Sequence, residues 1–202
     1  MSSSGDFDAR SASVVRETSE TSVRIELRLD QAETYKNETG IGFLDHMLDL
    51  FAKHGGFGLQ TFCDGDLHVD EHHTVEDVAI SLGDAFREAL GDKAFIRRFG
   101  HAYVPMDDAL ARATIDLSGR FYLHYQADFD RDRVGDLSVE MVEHFWHAFA
   151  EHARCNLHIE ALYGKNAHHK IEAIFKAVSR ALRDAVCRDP SFARMPSTKG
   201  SL

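Results

Sequence analysis

Two short segments of the chain, HHTVE at positions 72–76 and HHKIE at positions 168–172, combine adjacent histidines with a glutamate. In an α-helix, residues three or four positions apart share a face, so either histidine of a pair can lie beside its glutamate. Adjacent helical residues point about 100° apart, which suits the two histidines of a pair to two different ions. Imidazole and carboxylate ligands without thiolates are typical of Mn, Fe, Co, Ni or Zn sites.

The chain contains an internal repeat, and in each copy a further histidine precedes the histidine pair: His46 in the first copy and His144 in the second. LDHMLDLFAKHGGFGL, from Leu44, aligns with VEHFWHAFAEHARCNL, from Val142. A solvated helix face has no reason to retain the same ligand types through a duplication, so metal binding is favoured. Three histidines and one glutamate per ion would leave two octahedral positions open for substrate or water. The predicted metal ligands are His46, His72, His73, Glu76, His144, His168, His169 and Glu172.

The elements that must position these ligands show the same duplication. VRIELRL, at 23–29, alternates apolar and polar residues as a half-buried strand does, and FYLHY, at 121–125, does so less cleanly. Apolar residues at helical spacing predict four helices, at 43–51, 73–90, 142–149 and 169–187. Each half reads β-β-α-β-α, give or take a strand. The pattern shows strands that are not joined by regular βαβ crossovers and helices with one apolar face to bury. It predicts an α+β fold in which a two-layer sheet-and-helix sandwich occurs twice.

This pattern predicts two half-domains with polar ends. Both terminal segments are polar enough to be mobile unless something holds them. The predicted units are a tail at 1–9, half-domains at 10–93 and 94–190, and a tail at 191–202.

Composition excludes several classes of protein. A formal net charge of -10 argues against nucleic acid as the main partner. Three cysteines without short mutual spacing favour neither a disulfide framework nor a thiolate zinc site, and they suit a reducing compartment. The chain shows neither a signal peptide nor a transmembrane run, so no membrane partner and a cytoplasmic location are expected.

Cationic and acidic residues elsewhere give weaker signals. The segment PSTKG, at 196–200, offers hydroxyls and a lysine that suit a phosphate, although it fits a frayed tail equally well. Arg98, Arg120 and Lys176 are further cations, and each fits a solvated surface charge better than a ligand. Glu20 and the adjacent pair Asp107 and Asp108 are candidates for acid or base chemistry.

Six segments in order resemble the imidazoleglycerol-phosphate dehydratase family of histidine biosynthesis, from about residue 12 to the last residue. They are TGIGFLDHML, GDLHVDEHHTVEDVAISLGDAF, VPMDDAL, DLSGR, GKNAHHKIEAIFKA and PSTKGSL. The resemblance implies half-domains of the ribosomal protein S5 domain 2 type and two Mn²⁺ ions per active site. It also implies self-association to a 24-mer with active sites between subunits.

The implied reaction is dehydration of D-erythro-imidazole-glycerol phosphate to imidazole-acetol phosphate, through an imidazolate bound by two metal ions. One ion would take His46, His73, Glu76 and His168, and the other would take His72, His144, His169 and Glu172. The implied catalytic residues are Glu20, His72 and His168, and the implied phosphate-binding residues are Arg98, Arg120, Lys176, Ser197 and Lys199. The chain departs from the family pattern at Asp108, where glutamate is usual, at Phe121, and in the loop at 30–39.

Other function classes share part of this pattern. A metal-binding, self-assembling protein without catalysis would use the same ligands but would not need the arginines and lysines. A metalloprotease is disfavoured, because HHxxE lacks the glutamate that directly follows the first histidine in HExxH.

Overall fold

The first repeat forms one four-stranded sheet with two helices. The computed structural model describes residues 9–31, 34–189 and Ser197. Strand β2 lies antiparallel between β1 and β4, and the edge strand β3 runs parallel to β4, in the order β1-β2-β4-β3. The elements are β1 (Ser11–Glu17), β2 (Thr21–Arg28), β3 (Tyr35–Glu38), α1 (Gly42–Gly55), β4 (Gly58–Gly65) and α2 (His72–Leu90).

The second repeat has the same topology, with the strand order β5-β6-β10-β7 and a parallel edge strand β7. An additional two-stranded hairpin, β8–β9, precedes its first helix. The elements are β5 (Phe99–Met106), β6 (Ala109–Asp116), β7 (Tyr122–Gln126), β8 (Arg133–Val134), β9 (Leu137–Ser138), α3 (Glu140–Ala153), β10 (Asn156–Tyr163) and α4 (Ala167–Val186).

The predicted α+β class and the duplication are confirmed, with one correction to the connections. The sequence pattern predicted strands that no βαβ crossover joins. In each repeat, however, a helix connects two adjacent parallel strands, α1 between β3 and β4 and α3 between β7 and β10. In the first repeat the prediction was wrong because β3 is the four-residue segment YKNE, largely exposed, which carries no apolar alternation. In the second repeat the strand β7 was predicted, but its side-chain pattern does not indicate that it pairs in parallel with β10.

Helices from the two repeats pack against each other between the two sheets. Helix α2 covers β1 and β2, and α4 covers β5 and β6. The most extensive contacts between the repeats are those of α2 with α3 and of α1 with α4. Aromatic rings fill the space between the helices of the two repeats. The ring centroids of Phe51 and Trp146 are 6.2 Å apart, and those of Phe86 and Phe149 are 5.6 Å apart. All four rings are fully buried, so the two repeats share one apolar core.

Gly83 allows α2 to approach α3 closely. A Cβ atom at this position would lie 2.7 Å from the carbonyl oxygen of Phe149 and 2.9 Å from the backbone nitrogen of Ala153. The absence of a side chain therefore sets the distance between the helices that join the repeats.

The β8–β9 hairpin holds the first turns of both helices of the first repeat. Ile41, before α1, supplies no side-chain cap, and Asp136 of the hairpin instead accepts hydrogen bonds from Gly42 N (2.6 Å) and Phe43 N (2.9 Å). Glu71, just before α2, accepts a hydrogen bond from Ser138 N (3.1 Å). The second repeat therefore stabilises the helix starts from which the first repeat presents its histidines. Among the described helices, none has a stretch long and apolar enough to cross a membrane.

Candidate metal centre

The first cluster consists of His72 and Glu76 from α2 and His144 from α3. His144 Nε2 lies 3.0 Å from Glu76 Oε1, and the ring centroids of His72 and His144 are 4.4 Å apart. One ligand atom from each of the three side chains lies within 4.8 Å of the others. Because α2 and α3 belong to different repeats, the cluster forms only when the repeats pack together.

The second cluster consists of His168 and Glu172 from α4 and His46 from α1. His168 Nε2 lies 3.2 Å from Glu172 Oε2, the ring centroids of His46 and His168 are 6.1 Å apart, and the three ligand atoms again lie within 4.8 Å of one another. Glu172 is buried and accepts a hydrogen bond from Lys176 Nζ at 2.5 Å. Burial raises the pKa of the Glu172 carboxyl, but Lys176 and the nearby imidazoles outweigh it and hold the pKa below its usual value.

Within one chain, the two glutamates are exchanged relative to the grouping that the family resemblance implied. Glu76 was expected with His46 and His168, and Glu172 with His72 and His144. The structure instead places each glutamate with the histidine four positions before it on the same helix. Helical spacing lets either histidine of a pair lie beside its glutamate. The packing of α2 against α3 and of α4 against α1 places the first histidine of each pair in the cluster.

His73 and His169, which we call the outer histidines, lie outside both clusters. Each ring centroid is 6.0 Å from that of the preceding histidine, with an interplanar angle of 81° in both cases. The adjacent histidines of each pair thus point in different directions, as helical geometry predicts.

The outer histidines contact carboxylates instead of the clusters. His73 Nδ1 lies 3.1 Å from Asp66, and its Nε2 lies 3.8 Å from Glu20. His169 Nδ1 lies 2.6 Å from Asp108, and its Nε2 lies 3.6 Å from Asp107. Glu20 is in the β1–β2 turn, and Asp107 and Asp108 are in the matching β5–β6 turn of the second repeat.

Among the described phosphate-binding candidates, Lys176 and Arg98 lie at different places along the length of α4. Lys176 lies one turn beyond Glu172 on α4, close to the second cluster. Arg98 pairs with Asp116 (2.7 and 3.1 Å), and its backbone N–H donates to the carbonyl oxygen of Ala185. This contact is at the C-terminal end of α4, roughly 25 Å along the helix from His168, at about 1.5 Å per residue.

The remaining phosphate candidates have less defined surroundings. Arg120 lies in the loop after β6, and its Nη1 donates to the carbonyl oxygen of Ser118 at 3.4 Å. Ser197 is partly buried, and Lys199 lies outside the described residues.

Both clusters fit a transition-metal ion. Imidazole nitrogens and carboxylate oxygens bind such ions at about 2.1 Å, so ligands on opposite sides of an ion lie about 4.2 Å apart. Separations of up to 4.8 Å need only small side-chain movements to reach this geometry. Each cluster supplies three ligands, which leaves positions for a further ligand and a substrate.

The fold and the clusters define a duplicated α+β protein with two imidazole–carboxylate sites, each built from both repeats. Residues 39–182 match the family model for imidazoleglycerol-phosphate dehydratase. The chain belongs to the imidazoleglycerol-phosphate dehydratase family.

Relatives match the chain over nearly its whole length. An imidazoleglycerol-phosphate dehydratase from Salinibacter ruber is 62% identical over 196 residues, covering 97% of each chain. One from Leuconostoc mesenteroides is 53% identical over 194 residues, covering 96% of this chain and 100% of the relative.

Solved structures of the family share the fold. The crystal structure of imidazoleglycerol-phosphate dehydratase from Staphylococcus aureus is 40% identical, covers 88% of this chain and 98% of that chain, and superposes with a TM-score of 0.80. The crystal structure of IGPD from Pyrococcus furiosus is 36% identical, with coverage of 94% and 100% and a TM-score of 0.81.

Asp66 lies near the predicted metal ligands, and the sequence analysis did not single it out. It contacts His73 from the loop between β4 and α2, seven positions before it in the chain. No sequence repeat marks it, because the matching contact in the second repeat comes from Asp108, in a different turn.

Proposed function

We propose that the chain is a hydro-lyase that converts D-erythro-imidazole-glycerol phosphate to imidazole-acetol phosphate in histidine biosynthesis. The observation that supports this most is the presence of two equivalent imidazole–carboxylate clusters in a member of the dehydratase family. A substrate with one imidazole ring has two ring nitrogens, and two metal sites match them in number.

Each cluster is proposed to hold one Mn²⁺ ion, giving two ions per active site. The cluster supplies two histidines and a glutamate, and a third histidine is proposed to come from another copy of the chain, as His73 or His169. Support comes from these outer histidines, which lie outside the clusters of their own chain and next to them in sequence. When bound, the ions supply Lewis-acid stabilisation of the negative charge that develops on the imidazole ring.

The protein must also move a proton, because the reaction removes a hydroxyl from the carbon beside the ring and a proton from the next carbon. Glu20 is proposed to carry this proton. Its half-exposed carboxylate lies 3.8 Å from His73 Nε2, the atom proposed to bind an ion of another copy. A carboxylate at this place would be within reach of a substrate bound to that ion. His72 and His168 are the proposed catalytic members of the two clusters.

The phosphate is proposed to bind between chains. Arg98, Arg120, Lys176, Ser197 and Lys199 are the proposed contacts, and they would contribute binding energy remote from the reacting carbons. Because Arg98 is at the far end of α4 from His168, a site that uses both residues needs at least two chains. This supports the proposed self-association to a 24-mer with active sites between subunits.

A cytoplasmic location is proposed as well. Cys63, Cys155 and Cys187 are free thiols, which fits a reducing compartment.

The test compares wild-type protein with Glu20→Gln and with the control Glu26→Gln, on the exposed face of β2. Elemental analysis measures metal per chain, and formation of imidazole-acetol phosphate measures turnover. Wild type and the control should contain metal and turn over, whereas Glu20→Gln should keep its metal and lose most turnover. Metal-replete wild-type protein without turnover would instead indicate a metal-binding, self-assembling protein without catalysis.

A further inference from the structure

Both outer histidines are held at the same ring atom by an aspartate. Asp66 lies 3.1 Å from Nδ1 of His73, and Asp108 lies 2.6 Å from Nδ1 of His169. The two aspartates come from different places in their repeats, the β4–α2 loop and the β5–β6 turn. The shared geometry is therefore not a direct copy made by the duplication.

A carboxylate at Nδ1 determines what the other ring nitrogen can do. It accepts a hydrogen bond from Nδ1–H, which places the proton there and leaves the lone pair on Nε2 for a metal ion. It also fixes the orientation of the ring, because the side-chain torsions of histidine are otherwise free to rotate.

The second aspartate is itself rigidly anchored. One oxygen of Asp108 faces His169, and the other accepts hydrogen bonds from Lys165 N (2.6 Å) and Asn166 N (3.0 Å). Asn166 in turn caps α4 by accepting a hydrogen bond from His168 N at 2.9 Å. The same short segment thus positions both histidines of the second pair.

The first aspartate is anchored through the backbone. Asp66 N donates to the carbonyl oxygen of Glu20 at 3.1 Å, and the Asp66 side chain is largely buried. Asp66 therefore contacts both Glu20, the proposed proton carrier, through the backbone and the ring of His73 through its side chain.

We propose that Asp66 and Asp108 are positioning residues that orient the outer histidines and present Nε2 of each ring to a metal ion held by a second copy of the chain. This role rests on the proposed function, in which His73 and His169 complete the clusters of other copies. It assigns Asp108 to ligand orientation, whereas the sequence alone offered it as an acid or base.

The test is a Mn²⁺ titration of full-length Asp66→Asn and Asp108→Asn, together with the melting temperature of each metal-free protein. Asparagine keeps the shape of the side chain but removes the charge. Asp84→Asn is the matched control, because it removes a carboxylate 3.3 Å from Nδ1 of His152, a histidine outside both clusters.

Both variants should weaken Mn²⁺ binding by about 10- to 100-fold, the usual effect of losing a residue that supports a metal ligand. Their metal-free melting temperatures should change no more than that of the control. Wild-type affinity in both variants would overturn the positioning role alone, and so would weaker binding accompanied by a larger fall in metal-free melting temperature than in the control. A wild-type protein that bound no Mn²⁺ would overturn the proposed function as well.

Discussion

His144 Nε2 lies 3.0 Å from Glu76 Oε1, across the contact between α3 and α2. One residue belongs to the second repeat and the other to the first. The second cluster also combines residues of both repeats, because His46 of the first repeat lies beside Glu172 of the second. Each cluster is therefore a consequence of how the repeats pack, and changes to that packing are expected to affect both sites.

Replacing His144 with alanine should remove a ligand from the first cluster and leave the fold intact. We expect turnover to fall by more than about 100-fold, since loss of a residue that merely supports a ligand typically lowers affinity or activity by 10- to 100-fold. Metal per chain, measured by elemental analysis, should fall as well. The control is His147→Ala, a half-exposed histidine three positions later on the same helix. Unchanged metal content in His144→Ala would contradict the ligand assignment.

Removing the metal should reduce the size of the assembly. If outer histidines from one copy complete the clusters of another, a chelator breaks those links, and smaller oligomers should appear in light scattering. A mass unaffected by EDTA, with the metal shown to be gone, would mean that ligands do not come from different copies.

Gly83→Ala should destabilise the protein even though alanine is the better helix former. The gain in helix propensity is about 1 kcal/mol, but the new Cβ would meet the backbone of Phe149 and Ala153 under 3.0 Å. Overpacking of this kind typically destabilises by 1–3 kcal/mol, so we expect a net loss of about 1 kcal/mol in the free energy of unfolding. Denaturant unfolding of metal-free protein measures it.

Gly42→Ala is the matched control for Gly83→Ala, since among the described residues its Cβ would meet only Asp136 Oδ2, at 3.4 Å. This glycine is also helical, at the start of α1. Equal changes in the free energy of unfolding in the two variants would show that α2 and α3 can move apart without loss of stability.

The link between Asp136 and α1 should make stability depend on acid pH. Partial burial raises the pKa of the Asp136 carboxyl, but hydrogen bonds from Phe43 and Gly42 outweigh it and hold the pKa below its usual value. The ionised carboxylate therefore stabilises the fold fully above its unfolded pKa of about 3.9, and this contribution is lost as the pH falls through the folded pKa.

Asp136→Ala should accordingly lower the free energy of unfolding by about 1 kcal/mol at pH 7, as expected for a lost helix cap. The difference from wild type should shrink as the pH falls below about 4. Metal-free protein is used, so that metal release does not contribute. Asp130→Ala, an exposed change just before the β8–β9 hairpin, is the control. A difference from wild type that stayed constant down to pH 2 would refute the cap.

The helices could be predicted from the sequence because their apolar periodicity is strong. The predicted ranges 73–90 and 169–187 lie within two residues of α2 and α4 at each end. Strand β3 could not be predicted, because only one of its four residues is buried. Its strand conformation depends on backbone pairing with β4 and not on a pattern of apolar side chains.

The repeat predicted that histidines and a glutamate would lie together, but it did not predict which of them group in one chain. Helical spacing allowed either histidine of a pair to join its glutamate, and only the packing of α1 against α4 and α2 against α3 selects His168 and His72. The contact of Asp66 with His73 depends on the path of the β4–α2 loop, which no periodic pattern encodes.

The sharing of both clusters between repeats has a consequence for the origin of the chain. A polypeptide of one repeat carries the histidine of α1 and the pair of α2, but in the present structure these never meet; each meets its counterpart from the other repeat. A single-repeat ancestor would have needed to form a dimer before it could assemble either three-residue cluster. Joining two copies end to end would then have made formation of the clusters, and so their affinity for metal, independent of protein concentration, because both repeats lie in one chain.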